Sequence, residues 1–179
     1  TGNIDVTAGG SVAIINSVGT SMLDTHNVSI TSTGGHLHLT GGASVFSSYA
    51  WIVSYIGSVS LDINQEIQLL GGTGSFAPAI ISSAFTSGMG NLTISNAGDV
   101  ILAGGSGPMA LTMLGTGNPI APGGDGTVSI TCNGTAMNLT AGSGMSAFAQ
   151  ILTNGGMAAN DISIMFINPA SALTMLSST

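Results

Sequence analysis

A phrase of five residues, polar–apolar–polar–apolar–polar, recurs six times along this chain of 179 residues. The copies are Asn3 to Thr7, Asn27 to Thr31, Ser58 to Asp62, Asn91 to Ser95, Thr127 to Thr131 and Asp161 to Met165, the last closing on an apolar residue. Successive copies start 24, 31, 33, 36 and 34 residues apart. Recurrence at that period marks stacked supersecondary units, because a unit of this length cannot bury its apolar face alone and must lay it on the next copy.

Alternation with period two makes each copy a short β-strand with two apolar residues on one face. The inward pairs are Ile4/Val6, Val28/Ile30, Val59/Leu61, Leu92/Ile94, Val128/Ile130 and Ile162/Ile164. A second alternating doublet follows most copies: Val12/Ile14, Leu37/Leu39, Ile67/Leu69, Val100/Leu102 and Met137/Leu139, with Leu173/Met175 as the displaced sixth. Small residues then turn the chain, at Gly41-Gly42, Gly71-Gly72, Gly104-Gly105 and Ala141-Gly142. A third apolar step comes at Ala50/Ile52, Ala79/Ile81, Thr112/Leu114 and Ala149/Ile151. The expected fold is all-β: one parallel β-solenoid domain over residues 1–179, with about six stacked turns of 24–36 residues and three short strands per turn. Its first and last turns read as incomplete or uncapped. Segments such as Thr116 to Gly126, with Pro119 and Pro122, read as loops leaving one edge.

The stretches Ala97-Gly-Asp-Val-Ile-Leu-Ala-Gly-Gly-Ser-Gly107 and Asn138-Leu-Thr-Ala-Gly-Ser-Gly-Met-Ser-Ala-Phe-Ala-Gln-Ile151 resemble the repeats of filamentous-haemagglutinin-type exoproteins. The resemblance covers roughly residues 27 to 160. It implies a right-handed parallel β-helix, secreted to a bacterial surface and used in adhesion or as a stalk. The secretion domain, signal peptide and adhesin tip of that family have no counterpart in these residues.

Composition bounds the function. The chain has no Lys or Arg, seven acids and a formal charge of −7, where an ordinary domain carries about 25% charged residues. Low charge with 44% apolar residues argues for a folded chain over a disordered one. Nucleic acid is excluded as an expected partner because its affinity for proteins comes largely from Lys and Arg; anionic membrane surfaces fail for the same reason. The longest nearly uncharged apolar stretch, Ala43 to Ile56, is shorter than the roughly 18 residues of a spanning helix. Trypsin-like proteases find nothing to cut, as expected of a chain selected for survival outside the cell or of a fragment lying between cleavage points. The chain starts at Thr1, and neither end reads as a cap.

An uncapped solenoid leaves strand edges free to pair head to tail, and a contact of that kind that does not close makes a filament. The expected assembly interface is the terminal turns: Ile4, Val6, Val12 and Ile14 at one end, Ile162, Ile164, Leu173 and Met175 at the other. The expected function is an extracellular structural or adhesive filament subunit, or an exoprotein stalk segment, with the chain itself as partner. The alternative is a surface-binding module, for glycan or ice, built on the outward ladder Asp5, Ser29, Ser60, Thr93, Ser129 and Ser163. Soluble sheet surface is the plainer use of such a ladder. Tyr49 and Trp51, outward by alternation, are possible contact aromatics or sites of loop cover.

Catalysis is not expected. β-Helix lyase chemistry leans on a cationic group, Asp62 and Glu66 read as solvated charges, and no nucleophile elbow or phosphate loop occurs. No cofactor or metal is expected. His36 and His38 point outward on one strand without a clear third ligand. Gly71 to Gly74 and Gly104 to Gly107 open like calcium-binding nonapeptides but carry Phe76 or Met109 where those carry Asp. Cys132 has no partner for an internal disulfide and reads as buried filler, with an interchain bond as the alternative. Sequons stand at Asn27, Asn91, Asn133 and Asn138.

Overall fold

The computed structural model describes residues 4–8, 13–17, 27–45, 47–121, 123–154 and 160–177. Sixteen strands follow one another among them, three to a coil. The first coil is β1 (Ile4–Thr7), β2 (Ala13–Ser17) and β3 (Val28–Ser32); the second is β4 (Leu37–Thr40), β5 (Ala50–Ser54) and β6 (Val59–Ile63). The third is β7 (Ile67–Leu70), β8 (Ala79–Ser83) and β9 (Leu92–Ala97); the fourth is β10 (Val100–Ala103), β11 (Thr112–Thr116) and β12 (Val128–Cys132). The fifth is β13 (Ala136–Thr140), β14 (Ala149–Thr153) and β15 (Ile162–Phe166), and β16 (Ala172–Leu176) opens a sixth.

Every third strand joins the same sheet, always in parallel. Sheet 1 is β1-β4-β7-β10-β13-β16, sheet 2 is β2-β5-β8-β11-β14 and sheet 3 is β3-β6-β9-β12-β15. The chain is therefore a parallel β-solenoid with three faces. Register lays apolar residue on apolar residue: Leu37, Ile67, Val100 and Met137 form one column of sheet 1, and Val59, Leu92 and Val128 one of sheet 3. These columns, with Ile52, Ile81 and Leu114 of sheet 2, close into one core whose members are buried.

The corners follow from residue size. Between sheets 1 and 2, Gly42, Gly72 and Gly105 each donate a backbone N–H across their own loop, to Ser48, Ala77 and Ala110. These loops lie directly on one another, so a Cβ on Gly105 would collide with the Gly72 carbonyl and one on Gly72 with that of Gly42. Between sheets 2 and 3 the corner is held by hydroxyls. Ser54 Oγ accepts from Gly57 N–H at 2.8 Å, and Ser83 Oγ donates to the Gly90 carbonyl at 2.9 Å.

Two expectations about the first coil are corrected. Ile4 registers with Leu37 and Asp5 with His38, so the first copy of the phrase lies in sheet 1 with the second doublets, and Asp5 is not a rung of the Ser ladder in sheet 3. Its distance to the next sheet-1 strand, from Ile4 to Leu37, is 33 residues and matches the other coils, whereas the 24-residue step to Asn27 does not. In β2, Ala13 registers with Ala50, Ile14 with Trp51 and Ile15 with Ile52. Ala13 and Ile15 thus hold the register positions of the core-facing Ala50 and Ile52, and Ile14 holds that of Trp51. Val12 lies outside the described residues, as do the side chains of Asp5, Val6 and Ile14.

Candidate assembly interface

Within the stack each coil covers the last. At the end formed by β14, β15 and β16 that cover stops. Val128 and Ile130 are each 1% exposed, while Ile162, at the Val128 position one coil later, is 45% exposed and Ile164 is half-buried. Met137 is fully buried, whereas its register partner Leu173 is 45% exposed and Met175 is 72% exposed. These residues border an open apolar hollow of about 350 Å³, floored by Leu139, Ala149 and Ile151. The four residues expected at this end therefore do form one continuous surface. At the opposite end Ile4 is half-buried against the core and Ile15 is 37% exposed.

The backbone continues the theme. Val128 N–H donates to the Asp161 carbonyl and Thr112 N–H to that of Phe148, both at 2.9 Å. Ile162 and Ala149 occupy the same register positions one coil further on, where no further described strand lies beyond them. An edge strand whose core-facing side chains are exposed is a template for another parallel strand.

The outward face of sheet 3 is polar and regular. Ser29, Ser60, Thr93, Ser129 and Ser163 stand in register and are exposed. The column beside them is engaged in a staircase of bonds that sequence reasoning missed. Asn27 Oδ1 accepts from Ser58 N–H at 2.9 Å, Ser58 Oγ from Asn91 N–H at 3.0 Å, and Asn91 Oδ1 from Thr127 N–H at 3.0 Å. Beyond Thr127 the sense reverses, and Asn160 Oδ1 of the later coil accepts from Gly126 N–H of the earlier one at 3.1 Å. Small acceptors recurring at one phase of the repeat were the available signal.

Tyr49 and Trp51 face outward from sheet 2 as expected, but they are half-buried. Their rings stack at 3.9 Å, and Trp51 lies 4.9 Å from Phe85. Phe85, Val53, Ile80, Leu111 and Met113 make a second apolar cluster on this side, which Trp51 joins. The aromatics thus belong to a packed outer layer.

Several polar residues outside these surfaces have partners of their own. His36 and His38 stack at 3.7 Å, and His38 Nε2 lies 2.8 Å from Glu66 Oε1. Asp62 accepts from Asn96 Nδ2 at 3.0 Å, so Asp62 and Glu66 serve different partners. Among the described residues no group of three His, Cys, Asp or Glu is placed to hold a metal ion, and no helix is long and apolar enough to cross a membrane. Asp99 Oδ1 accepts from Thr135 N–H at 2.7 Å and Ala136 N–H at 2.9 Å, pinning the corner into β13. Cys132 is buried in the third inward column of sheet 3. Burial first, and the nearby Asp99 carboxylate second, push its thiol up to about 11. No family model matches this chain, nor does any curated protein or solved structure.

Proposed function

We propose that this chain is a passive structural element, an extracellular filament subunit or exoprotein stalk segment, extended at the β14–β16 end by further parallel strands. The supporting observation is the abrupt exposure of core-facing residues there, from 1% at Val128 to 45% at Ile162. Covering such residues contributes about 25 cal/mol per Å² of apolar surface, and the strand edges supply backbone partners. In this reading the chain catalyses nothing and requires no cofactor. The absence of Lys and Arg suits a surface exposed to trypsin-like proteases, in keeping with a place outside a bacterial cell.

Sedimentation velocity over a concentration series tests it. Wild-type protein should form growing head-to-tail species, while Ile162→Lys/Met175→Lys, with unchanged circular dichroism, should sediment as a monomer. Wild-type protein that stays monomeric throughout would refute assembly.

A second reading rests on the exposed Ser29, Ser60, Thr93, Ser129 and Ser163 column, five hydroxyl side chains in register at about 4.8 Å per rung. It makes sheet 3 a binding face for glycan or ice. Glycan-array or ice-recrystallisation activity in the non-assembling variant would favour it.

A further inference from the structure

We infer that Asn91 is a glycan attachment site, carrying a sugar on its side-chain nitrogen while its side-chain oxygen stays bonded into the stack. The site stands apart from the strand edges on which the structural reading rests.

A transferase that reads an Asn-x-Ser/Thr sequon needs the amide nitrogen and the hydroxyl two residues on. At Asn91 both are presented. Asn91 Oδ1 accepts from Thr127 N–H of the next coil at 3.0 Å, and because only the oxygen of an amide accepts, that bond fixes Nδ2 as the atom turned away. The Asn91 N–H donates to Ser58 Oγ of the previous coil at 3.0 Å, so the residue is held from both sides. Asn91 and Thr93 are exposed, and two residues apart along extended chain they share the outward face of sheet 3. Neither Asn91 Nδ2 nor the Thr93 hydroxyl has a hydrogen-bond partner among the described residues.

Two of the other sequons are engaged or covered. Asn133 Nδ2 donates to Asn96 Oδ1 at 3.3 Å, and the hydroxyl of its sequon, Thr135 Oγ1, donates to Asp99 Oδ1 at 3.4 Å. Asn138 is half-buried on sheet 1, in register between Ile101 and Thr174. Asn27 repeats the Asn91 arrangement, its Oδ1 accepting from Ser58 N–H at 2.9 Å, beside residues 18–26, which lie outside the described ones. In the transfer, Asn91 Nδ2 forms a bond to C1 of a hexose supplied as its nucleoside diphosphate. The C1–O bond breaks, the nucleoside diphosphate leaves with the electron pair, and one Nδ2 proton passes to a base of the transferase. The product is still an amide, so Oδ1 continues to accept from Thr127 N–H. The sugar stands on the face of the third coil, clear of β14, β15 and β16.

Mass spectrometry of protein from its native source tests the site, with pepsin as the protease because trypsin finds no Lys or Arg to cut. The peptide containing Asn91 should be heavier by a hexose, and an Asn91 peptide that is bare throughout would overturn the proposal. Selection by the fold is tested on the unmodified folded chain, given UDP-glucose and a soluble transferase that glucosylates free peptides of all three sequons, those at Asn91, Asn133 and Asn138. Glucose should appear at Asn91 and at neither of the others. Thr93→Ala, with unchanged circular dichroism, should lose the modification of Asn91, and Thr93→Ser should keep it. Glucose on Asn133 or Asn138 as readily as on Asn91, or on none of the three, would overturn the proposal.

Discussion

The inward doublets are the residues that the sequence states most openly. Alternation marked Leu37/Leu39, Ile67/Leu69 and Ala79/Ile81 as core, and all six are fully buried. Thr112 shows the tolerance of the code: it stands in the column of Ala50 and Ala79, fully buried. Alternation could not say which sheet a doublet joins, because Ile4/Val6 reads the same in sheet 1 as it would in sheet 3, and only the short 24-residue step betrayed it. Cys132 gives this scale its test. Its thiol, raised from an ordinary 9.0 to about 11, stays protonated in the folded protein over a range where the unfolded chain has lost the proton. Its effect on stability is therefore nil below about pH 9, and stability falls as pH rises from about 9 to about 11. The melting temperature of Cys132→Ala should fall less over that window. Asp99→Asn, which removes the smaller cause, should soften the wild-type decline. A decline equally steep in Cys132→Ala would place its origin elsewhere.

Strands and corners were legible to different depths. The three strands of each middle coil are apparent from alternation and glycine punctuation, and β16 lies where Leu173/Met175 suggested, after Pro169. The bonds between coils were not legible. That Asn91 accepts from Thr127 is a fact about residues 36 apart in sequence, and a polar outward column looks alike whether its side chains meet solvent or the next coil. The outer cluster around Trp51 was half legible: alternation put the aromatics outside, and only the fold brings Phe85 against them. The glycine corners carry the prediction at this scale. Gly105→Ala places a methyl group against the Gly72 carbonyl, a backbone atom held by its own coil. It should lower stability in urea by about 1–3 kcal/mol, whereas the neighbouring exposed Ser106→Ala should change it by less than about 0.5 kcal/mol. Equal effects would mean that the corners do not stack as described.

For the molecule as a whole, the period of the repeat foretold a stack, although the described strands make five coils and one further strand, fewer than the six turns expected. A solenoid is stabilised coil by coil through its nearest neighbours, so an edge whose core-facing residues are exposed is the least stable part of the described stack and the part with most to gain from a partner. The net charge of −7 without a single cation leaves apolar contact and strand pairing, rather than ion pairs, to hold such a junction. Those two forces also define the core, which makes the junction a continuation of the fold. Electron cryo-microscopy of concentrated protein, with intact mass determined on the same sample, examines this directly. The account predicts filaments of the 17.5 kDa chain in which the spacing of about 4.8 Å runs unbroken through each junction. Separate short rods at every concentration, with the β14–β16 end bare, would contradict it.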